Sequence, residues 1–417
     1  MATPWAHRYA QRTHIIKSSI IRELLKLTER PGVISLAGGL PAPEVFPAER
    51  FREACQKVLT EAPATALQYG PTEGYRPLRE QIVAQMSRYG IKATVDNVLL
   101  TSGSQQALDL IAKLLINRGD RILVETPTYL GALQAFNLFG AEYVTVPVDD
   151  DGLRTELLDG ALRSGPKFMY ILPNFQNPGG VTLSLERRKQ LVKLSEEHGI
   201  PIIEDDPYGQ LRYSGEHLPP LVVLNSKNEN EAGYFDGSVI YMSTFSKVLA
   251  PGIRLGWMVA PTEVISKLVQ IKQGTDLHTS TFIQMVAYEV SKDGFIDQHV
   301  QTIRRIYRER RDVMLKALDE FFPPQVTWTR PEGGLFLWVT LPQGCNSERL
   351  FRAALKQDVA FVPGEAFYPG GDSGGETGAH MRLNFSNASP EMIREGIRRL
   401  SIAVMEELEH AGALVTA

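Results

Sequence analysis

The chain has 417 residues, 43% of them hydrophobic and 22% charged, with a formal net charge of −4 at pH 7. That length exceeds one simple core and calls for two to three domains at the usual ~150 residues each, while the mild acidity and the lack of a basic run exclude a nucleic-acid footprint. Two cysteines, Cys55 and Cys345, are too few for a disulfide framework or a zinc cluster, no segment reaches the roughly 20 apolar residues of a membrane span, and no basic-then-apolar leader opens the chain, so a reduced, cytoplasmic protein without a metal or a membrane partner is expected.

Met1 to Thr13 is polar and irregular. The spacing of Ile16, Ile20, Leu24 and Leu27 predicts a helix, capped near Ser18 or Ser19 and stopped by Pro31-Gly32. The turn residues of Gly38-Gly39-Leu40-Pro41-Ala42-Pro43 predict a loop, and another helix is expected over about Ala48 to Thr60. From Val98 the rhythm changes. Short apolar runs predict strands at Val98 to Thr101, Ile122 to Val124, Tyr143 to Val146, Phe168 to Leu172, Ile200 to Glu204, Val239 to Met242 and Leu255 to Val259. Amphipathic helices separate several of them, as at Gln105 to Leu115 and Leu185 to His198. Strands alternating with helices indicate a mostly parallel sheet covered on both faces.

The last part reads as α+β. A long helix from about Phe295 to Phe322 carries many Arg and Lys residues, whose plain reading is a solvated face. Strands are expected at Leu335 to Leu341 and Met381 to Phe385, and a final helix over Pro390 to His410. Gly370 to Gly378 is a glycine-rich loop without the strand-then-helix setting of a phosphate loop. There is no internal repeat. The expected organisation is an N-terminal segment, 1–60, packing with the small domain; a large domain, 61–290, with a mostly parallel sheet flanked by helices; and a small α+β domain, 291–417.

In an open α/β sheet, ligands sit beyond the carboxyl ends of the strands. After Val98 to Thr101 comes Ser102-Gly103-Ser104-Gln105-Gln106 at a helix start, which suits an anion such as phosphate or is a plain serine cap. After Phe168 to Leu172 comes Pro173-Asn174-Phe175-Gln176-Asn177-Pro178-Gly179-Gly180, locally a turn. After Ile200 to Glu204 come Asp205, Asp206, Pro207 and Tyr208. The two adjacent acids point in different directions, so one can face a ligand, unless the pair simply opens a helix. After Val239 to Met242 comes Ser243-Thr244-Phe245-Ser246-Lys247, with Arg254 seven residues on. A lysine behind a buried strand can have a depressed pKa and act as a Schiff-base nucleophile, and Arg254 can reach a phosphate at the same edge. Singly each signal is modest. Together they put an anion cradle, a carboxylate, an amide and a reactive lysine at one edge of one sheet, the set a pyridine aldehyde phosphate needs.

At these residues the chain resembles the fold-type I pyridoxal-phosphate-dependent aminotransferases, and most of all the 2-aminoadipate and kynurenine aminotransferase branch. The likeness spans essentially the whole chain. It includes Ser35-Leu36-Ala37-Gly38-Gly39-Leu40-Pro41, Gln68-Tyr69-Gly70, Gly103-Ser104-Gln105-Gln106, Asn177-Pro178-Gly179-Gly180, Glu204-Asp205-Asp206-Pro207-Tyr208, Ser246-Lys247 and Met381-Arg382-Leu383. It implies a fold-type I transferase that moves an amino group from an L-amino acid to a 2-oxo acid, with pyridoxal 5′-phosphate as cofactor and a homodimer with shared sites. By this resemblance Lys247 forms the Schiff base and moves the proton between the α-carbon and C4′. Asp205 pairs with the ring nitrogen, Asn177 and Tyr208 contact the phenolic oxygen, and Tyr129 stacks on the ring. Ser104, Gln105, Thr244, Ser246 and Arg254 hold the phosphate, with Tyr69 reaching a phosphate across the dimer interface. Arg382 clamps the substrate α-carboxylate, beside Asn177, Gly39 and Tyr69. The matching helix of 2-aminoadipate aminotransferases carries an arginine for the distal carboxylate, which here implicates Arg22; its plain reading is a solvated helix face. Two departures stand out: Gly179 where the family often has Thr, and Thr244 where it often has Ser.

Three other readings compete. A lyase or decarboxylase of the same fold would share the site, and Arg382 with the branch resemblance tips the balance to transamination. A regulator carrying an aminotransferase-like domain needs a DNA-binding domain, and only about 30 residues precede the Ser35 loop. A Ser-x-x-Lys hydrolase would need a serine where Thr244 stands, three residues before Lys247.

Overall fold

A computed structural model describes residues 5–14, 32–225, 237–370 and 380–413. The helix expected around Ser18 to Leu27, Arg22 with it, and all of the Gly370 to Gly378 loop but its first residue lie outside the described residues. The first strand is β1 (Ile34–Ser35), and the first long helix, Ala48–Glu61, packs against the helix Thr281–Ser291.

Eight strands build the larger sheet: β2 (Val98–Thr101), β3 (Arg121–Thr126), β4 (Glu142–Asp149), β5 (Gly152–Leu153), β6 (Met169–Ile171), β7 (Ile202–Asp205), β8 (Val239–Thr244) and β9 (Gly256–Val259). Their order is β2-β9-β8-β7-β6-β3-β4-β5. The run from β4 through β3, β6 and β7 to β8 is parallel. β9 runs against both β8 and β2. This reversal brings the residue that enters β9 to the same edge where the parallel strands end, so Arg254 meets residues that leave β2 and β8.

Every residue of β2, β6, β7, β8 and β9 is buried, as strands covered on both faces require. Side chains alternate between two cores. On one face Leu99, Phe168, Tyr170, Ile203 and Met242 pack under the helices Ser104–Leu115, Leu130–Asn137 and Thr262–Gln273, through residues such as Leu108, Phe136 and Leu268. On the other, Met169, Ile171 and Ile202 pack with Leu191 and Val192 of Leu185–His198.

The smaller sheet is antiparallel. It comprises β10 (Thr327–Trp328), β11 (Phe336–Thr340), β13 (Val362–Pro363) and β14 (His380–Asn384), in the order β10-β11-β14-β13. β12 (Val359–Ala360) pairs in parallel with β1 and so ties the N-terminal segment to this part of the chain. The helix Pro390–His410, capped by Ser389 with Pro390 in its first turn, packs along Phe295–Phe321.

The basic residues of that long helix are not all solvated, as the sequence suggested. A stripe of Ile296, Val300, Ile303, Tyr307, Arg310, Met314, Ala317 and Leu318 is buried. Arg310 within it donates to the Ser386 carbonyl and pairs with Glu44. Partners so far away along the chain convert a face position into a buried strut. Among the described residues no helix is long and apolar enough to cross a membrane.

Candidate active site

Beyond the carboxyl edge of the large sheet lies a cavity of about 290 Å³, lined among others by Ser104, Gln105, Tyr129, Asn177, Asp205 and Lys247. Gly39, Tyr208, Thr244, Ser246, Arg254 and Arg382 line it too. Twelve of the fourteen candidate residues thus converge. Tyr69 does not line its own chain's cavity: it is 79% exposed and sits edge-on to His278, with ring centroids 5.8 Å apart. Arg22 lies outside the described residues.

The turn after β2 is built for close approach. Gly103 has φ +82°, and a β-carbon there would come within 2.6 Å of Arg254 Nη2, so glycine answers both a left-handed backbone and a crowding cation. Ser104 opens the helix Ser104–Leu115, whose first N–H groups favour an anion. Arg254 itself holds φ 50°, a strained conformation for a residue other than glycine, and donates to the Pro251 carbonyl at 3.2 Å. The Thr244 hydroxyl donates to Ser246 Oγ at 2.9 Å. Gln105 turns its amide to the Gly131 carbonyl, 3.0 Å away.

Strand alternation sorts three successive acids. Glu204 points to one face, where it accepts the N–H groups of Leu221 and Val222 at 2.8 and 2.9 Å. Asp205 points to the other, where its Oδ2 accepts the Tyr170 hydroxyl at 2.7 Å. Asp206, past the strand, accepts from Asn174, the Gly209 N–H and Tyr241. Of the three, only Asp205 keeps a carboxylate oxygen without a partner among the described residues, Oδ1. Burial raises its pKa to about 7, and the Tyr170 hydrogen bond opposes that rise.

The Lys247 amine is partly buried and donates to the Gly39 carbonyl at 2.9 Å. Burial first, then the charges of Arg382 and Arg254, lower its pKa to about 8. Arg382, 2% exposed, gives Nη1 to Asn177 Oδ1 and Nη2 to the Ala37 carbonyl, each at 2.8 Å, while Nε has no partner among the described residues. Its guanidinium lies 4.1 Å from the ring centroid of Phe336 and 4.9 Å from that of Phe367.

The Asn177 turn closes on the small sheet. A β-carbon at Gly180, φ +73°, would lie 2.5 Å from the Phe336 carbonyl oxygen. Gly179 gives its N–H to Gln176 Oε1 at 2.9 Å, and a β-carbon there would come within 3.0 Å of that same oxygen. The glycine that replaces threonine therefore matches the glutamine three residues earlier.

The model of the aminotransferase class I and II family matches residues 32–400. This chain belongs to that family. The aminotransferase is 46% identical over 408 residues to aromatic-amino-acid aminotransferase 1 of Thermococcus litoralis, covering 96% of this chain and 95% of the relative. The α-aminoadipate aminotransferase of Thermus thermophilus, solved with N-(5′-phosphopyridoxyl)-L-leucine, is 43% identical with a TM-score of 0.89, covering 97% of this chain and 99% of the other. The kynurenine aminotransferase of Pyrococcus horikoshii is 45% identical with a TM-score of 0.91, over 97% and 99% of the two chains. The fold is that of a fold-type I transferase, and the cofactor is pyridoxal 5′-phosphate.

The residues present fit that cofactor. Ser104 Oγ, Asp205 Oδ1 and Arg382 Nε are buried without a partner among the described residues, an unfavourable state that a phosphorylated, ring-nitrogen-bearing ligand and a carboxylate substrate relieve. Sequence reasoning missed Tyr170, Leu172, Pro251 and Phe336 as residues of the site. The run Leu335 to Leu341 marked Phe336 as a strand residue, but nothing local shows that its ring meets Arg382 and lies edge-on to Tyr208.

Proposed function

We propose that the acceptor is 2-oxoglutarate and that the donors include 2-aminoadipate, glutamate, leucine or aromatic amino acids. The observation that carries amino-acid transfer is the buried Arg382 beside Lys247, a carboxylate receptor next to an amine. The names of the relatives, which span aromatic, α-aminoadipate and kynurenine aminotransferases, support a broad donor range.

When bound, pyridoxal 5′-phosphate supplies an aldehyde for the amino group and a ring that withdraws the electron pair left at the α-carbon. In this reading Lys247 carries the proton between the α-carbon and C4′. Asp205 holds a proton at the ring nitrogen, and Asn177 and Tyr208 hydrogen-bond the phenolic oxygen. Tyr129 covers the ring. Ser104, Gln105, Thr244, Ser246 and Arg254 bind the phosphate, and Arg382, with Gly39 and Asn177 beside it, orients the substrate by its α-carboxylate. Arg22 is the proposed partner of a distal carboxylate. With Cys55 and Cys345 both free, a cytoplasmic setting suits the protein.

A half-reaction tests the function. Stoichiometric glutamate, without acceptor, should convert the bound cofactor to its amine form, and 2-oxoglutarate should restore it, as followed by absorbance. Release of carbon dioxide or ammonia without such reversal would mean a decarboxylase or lyase instead.

We further propose a homodimer with composite sites. Leu67, Tyr69 and Leu277 are 73%, 79% and 53% exposed, and Tyr69 touches His278, the neighbour of Leu277. These exposed apolar side chains support an interface here, and in this reading Tyr69 completes the partner's phosphate site. Mixing inactive Tyr69→Ala and Lys247→Ala subunits should restore up to about a quarter of the activity by random pairing. A fully active monomer in sedimentation experiments would rule this out.

A further inference from the structure

Tyr170 stands in none of the motifs read from the sequence. Among the described residues, however, its hydroxyl is the only side-chain donor to the Asp205 carboxylate, 2.7 Å from Oδ2. Tyr170 lies in the middle of β6, opposite Ile203 of β7, and both Tyr170 and Ile203 pack in the same core. It is fully buried, and Phe136 packs edge-on against its ring with centroids 5.7 Å apart. Burial pushes the phenol's own pKa well up, so it remains a donor.

A carboxyl and a pyridine nitrogen that meet in a buried site share one proton, and the pair titrates as a unit. With the proton on nitrogen, the pair is charged; with the proton on oxygen, both partners are neutral. Burial favours the neutral arrangement, and so does the nearby charge of Asp206, which raises the Asp205 pKa. A hydrogen bond donated to the far carboxylate oxygen stabilises the ionised form and works against both effects. Tyr170 supplies it, and it also fixes which oxygen, Oδ1, is left without a partner among the described residues.

We propose that Tyr170 is a positioning residue that holds Asp205 ionised with Oδ1 left free, so that the proton shared with the cofactor's ring nitrogen stays on nitrogen. This rests on the reading of Asp205 as the ring-nitrogen partner. The cofactor withdraws electrons well only with that proton in place, so the effect should fall on the chemical step rather than on binding.

The test is the ¹⁵N chemical shift of ring-labelled pyridoxal 5′-phosphate in the holoenzyme, compared among wild type, Tyr170→Phe and Asp205→Asn. Phenylalanine keeps the ring that packs on Phe136, so the fold and the cofactor should be retained. The wild-type resonance should sit at the protonated position and that of Asp205→Asn at the unprotonated one. Tyr170→Phe should move a substantial part of the way between them. Its kcat should fall about tenfold, with the KM of the donor within about twofold. A Tyr170→Phe resonance that coincides with wild type while that of Asp205→Asn moves would overturn the role of Tyr170. If neither variant moves it, the reading of Asp205 itself is wrong.

Discussion

Replacing Lys247 with alanine will leave a folded protein that no longer turns over. The substitution removes one partly buried amine whose only protein hydrogen bond, among the described residues, is to the Gly39 carbonyl. The turn that carries it follows β8, which is held in the sheet between β7 and β9, and Phe245 in that turn packs against Trp257 with ring centroids 4.9 Å apart. Melting should therefore change little. Activity should fall by about 10⁴-fold or more, because in the proposed mechanism one group supplies both the covalent bond to the cofactor's aldehyde and the proton shuttle. Borohydride reduction of the wild type should fix the cofactor to the Lys247 peptide and to no other. The lowered pKa adds a pH signature. Only the neutral amine attacks an aldehyde, so the rate of cofactor uptake by the apoenzyme should rise with pH and level off just above about 8, where Lys247 is neutral. A rate still climbing through pH 10 would mean an ordinary, solvated lysine, and a labelled peptide elsewhere would move the assignment.

What the sequence made legible was whatever depends on near neighbours. Runs such as Val239 to Met242 follow from their apolar composition, and the turns behind them from Gly, Asn and Pro. The helix Pro390–His410 matches its expected ends because Ser389 and Pro390 write its start into adjacent residues. Asp205 and Asp206 were expected to diverge, and they do, since neighbouring residues at a strand end leave on opposite sides. Contacts set by strand order were not legible. Tyr170 meets Asp205 because β6 lies beside β7, and Phe336 meets Arg382 because β11 pairs with β14. Arg310 read as solvated for the same reason: its partners Glu44 and Ser386 stand far from it in the chain. Local pattern thus named the charged and polar groups that converge on the cavity, while the residues that hold those groups in place required the fold.

Arg382→Met should abolish productive handling of every amino-acid substrate while leaving the fold and the cofactor in place. The guanidinium is buried, and among the described residues its hydrogen bonds go to an amide and a carbonyl oxygen rather than to a carboxylate. Burial lowers its pKa only to about 10, so it remains charged at neutral pH. A buried cation that lacks a counterion is costly to the protein alone, and a carboxylate arriving from solution relieves that cost. Losing the pair should cost roughly 3–5 kcal/mol, or about 10²- to 10⁴-fold in kcat/KM. Stability should respond weakly, because two effects oppose each other. Asn177 Oδ1 and the Ala37 carbonyl lose their donors, while an unpaired buried charge disappears. The melting temperature should therefore shift by no more than a few degrees. Arg382→Lys should fall between the two enzymes, since it restores the charge but not two parallel hydrogen bonds. The pattern across substrates separates this residue from any that reads the side chain. The α-carboxylate is common to glutamate, leucine and the aromatic donors, so all should lose kcat/KM by a similar factor. A loss confined to acidic donors, or an Arg382→Met enzyme within about tenfold of wild type, would show that the α-carboxylate is held elsewhere.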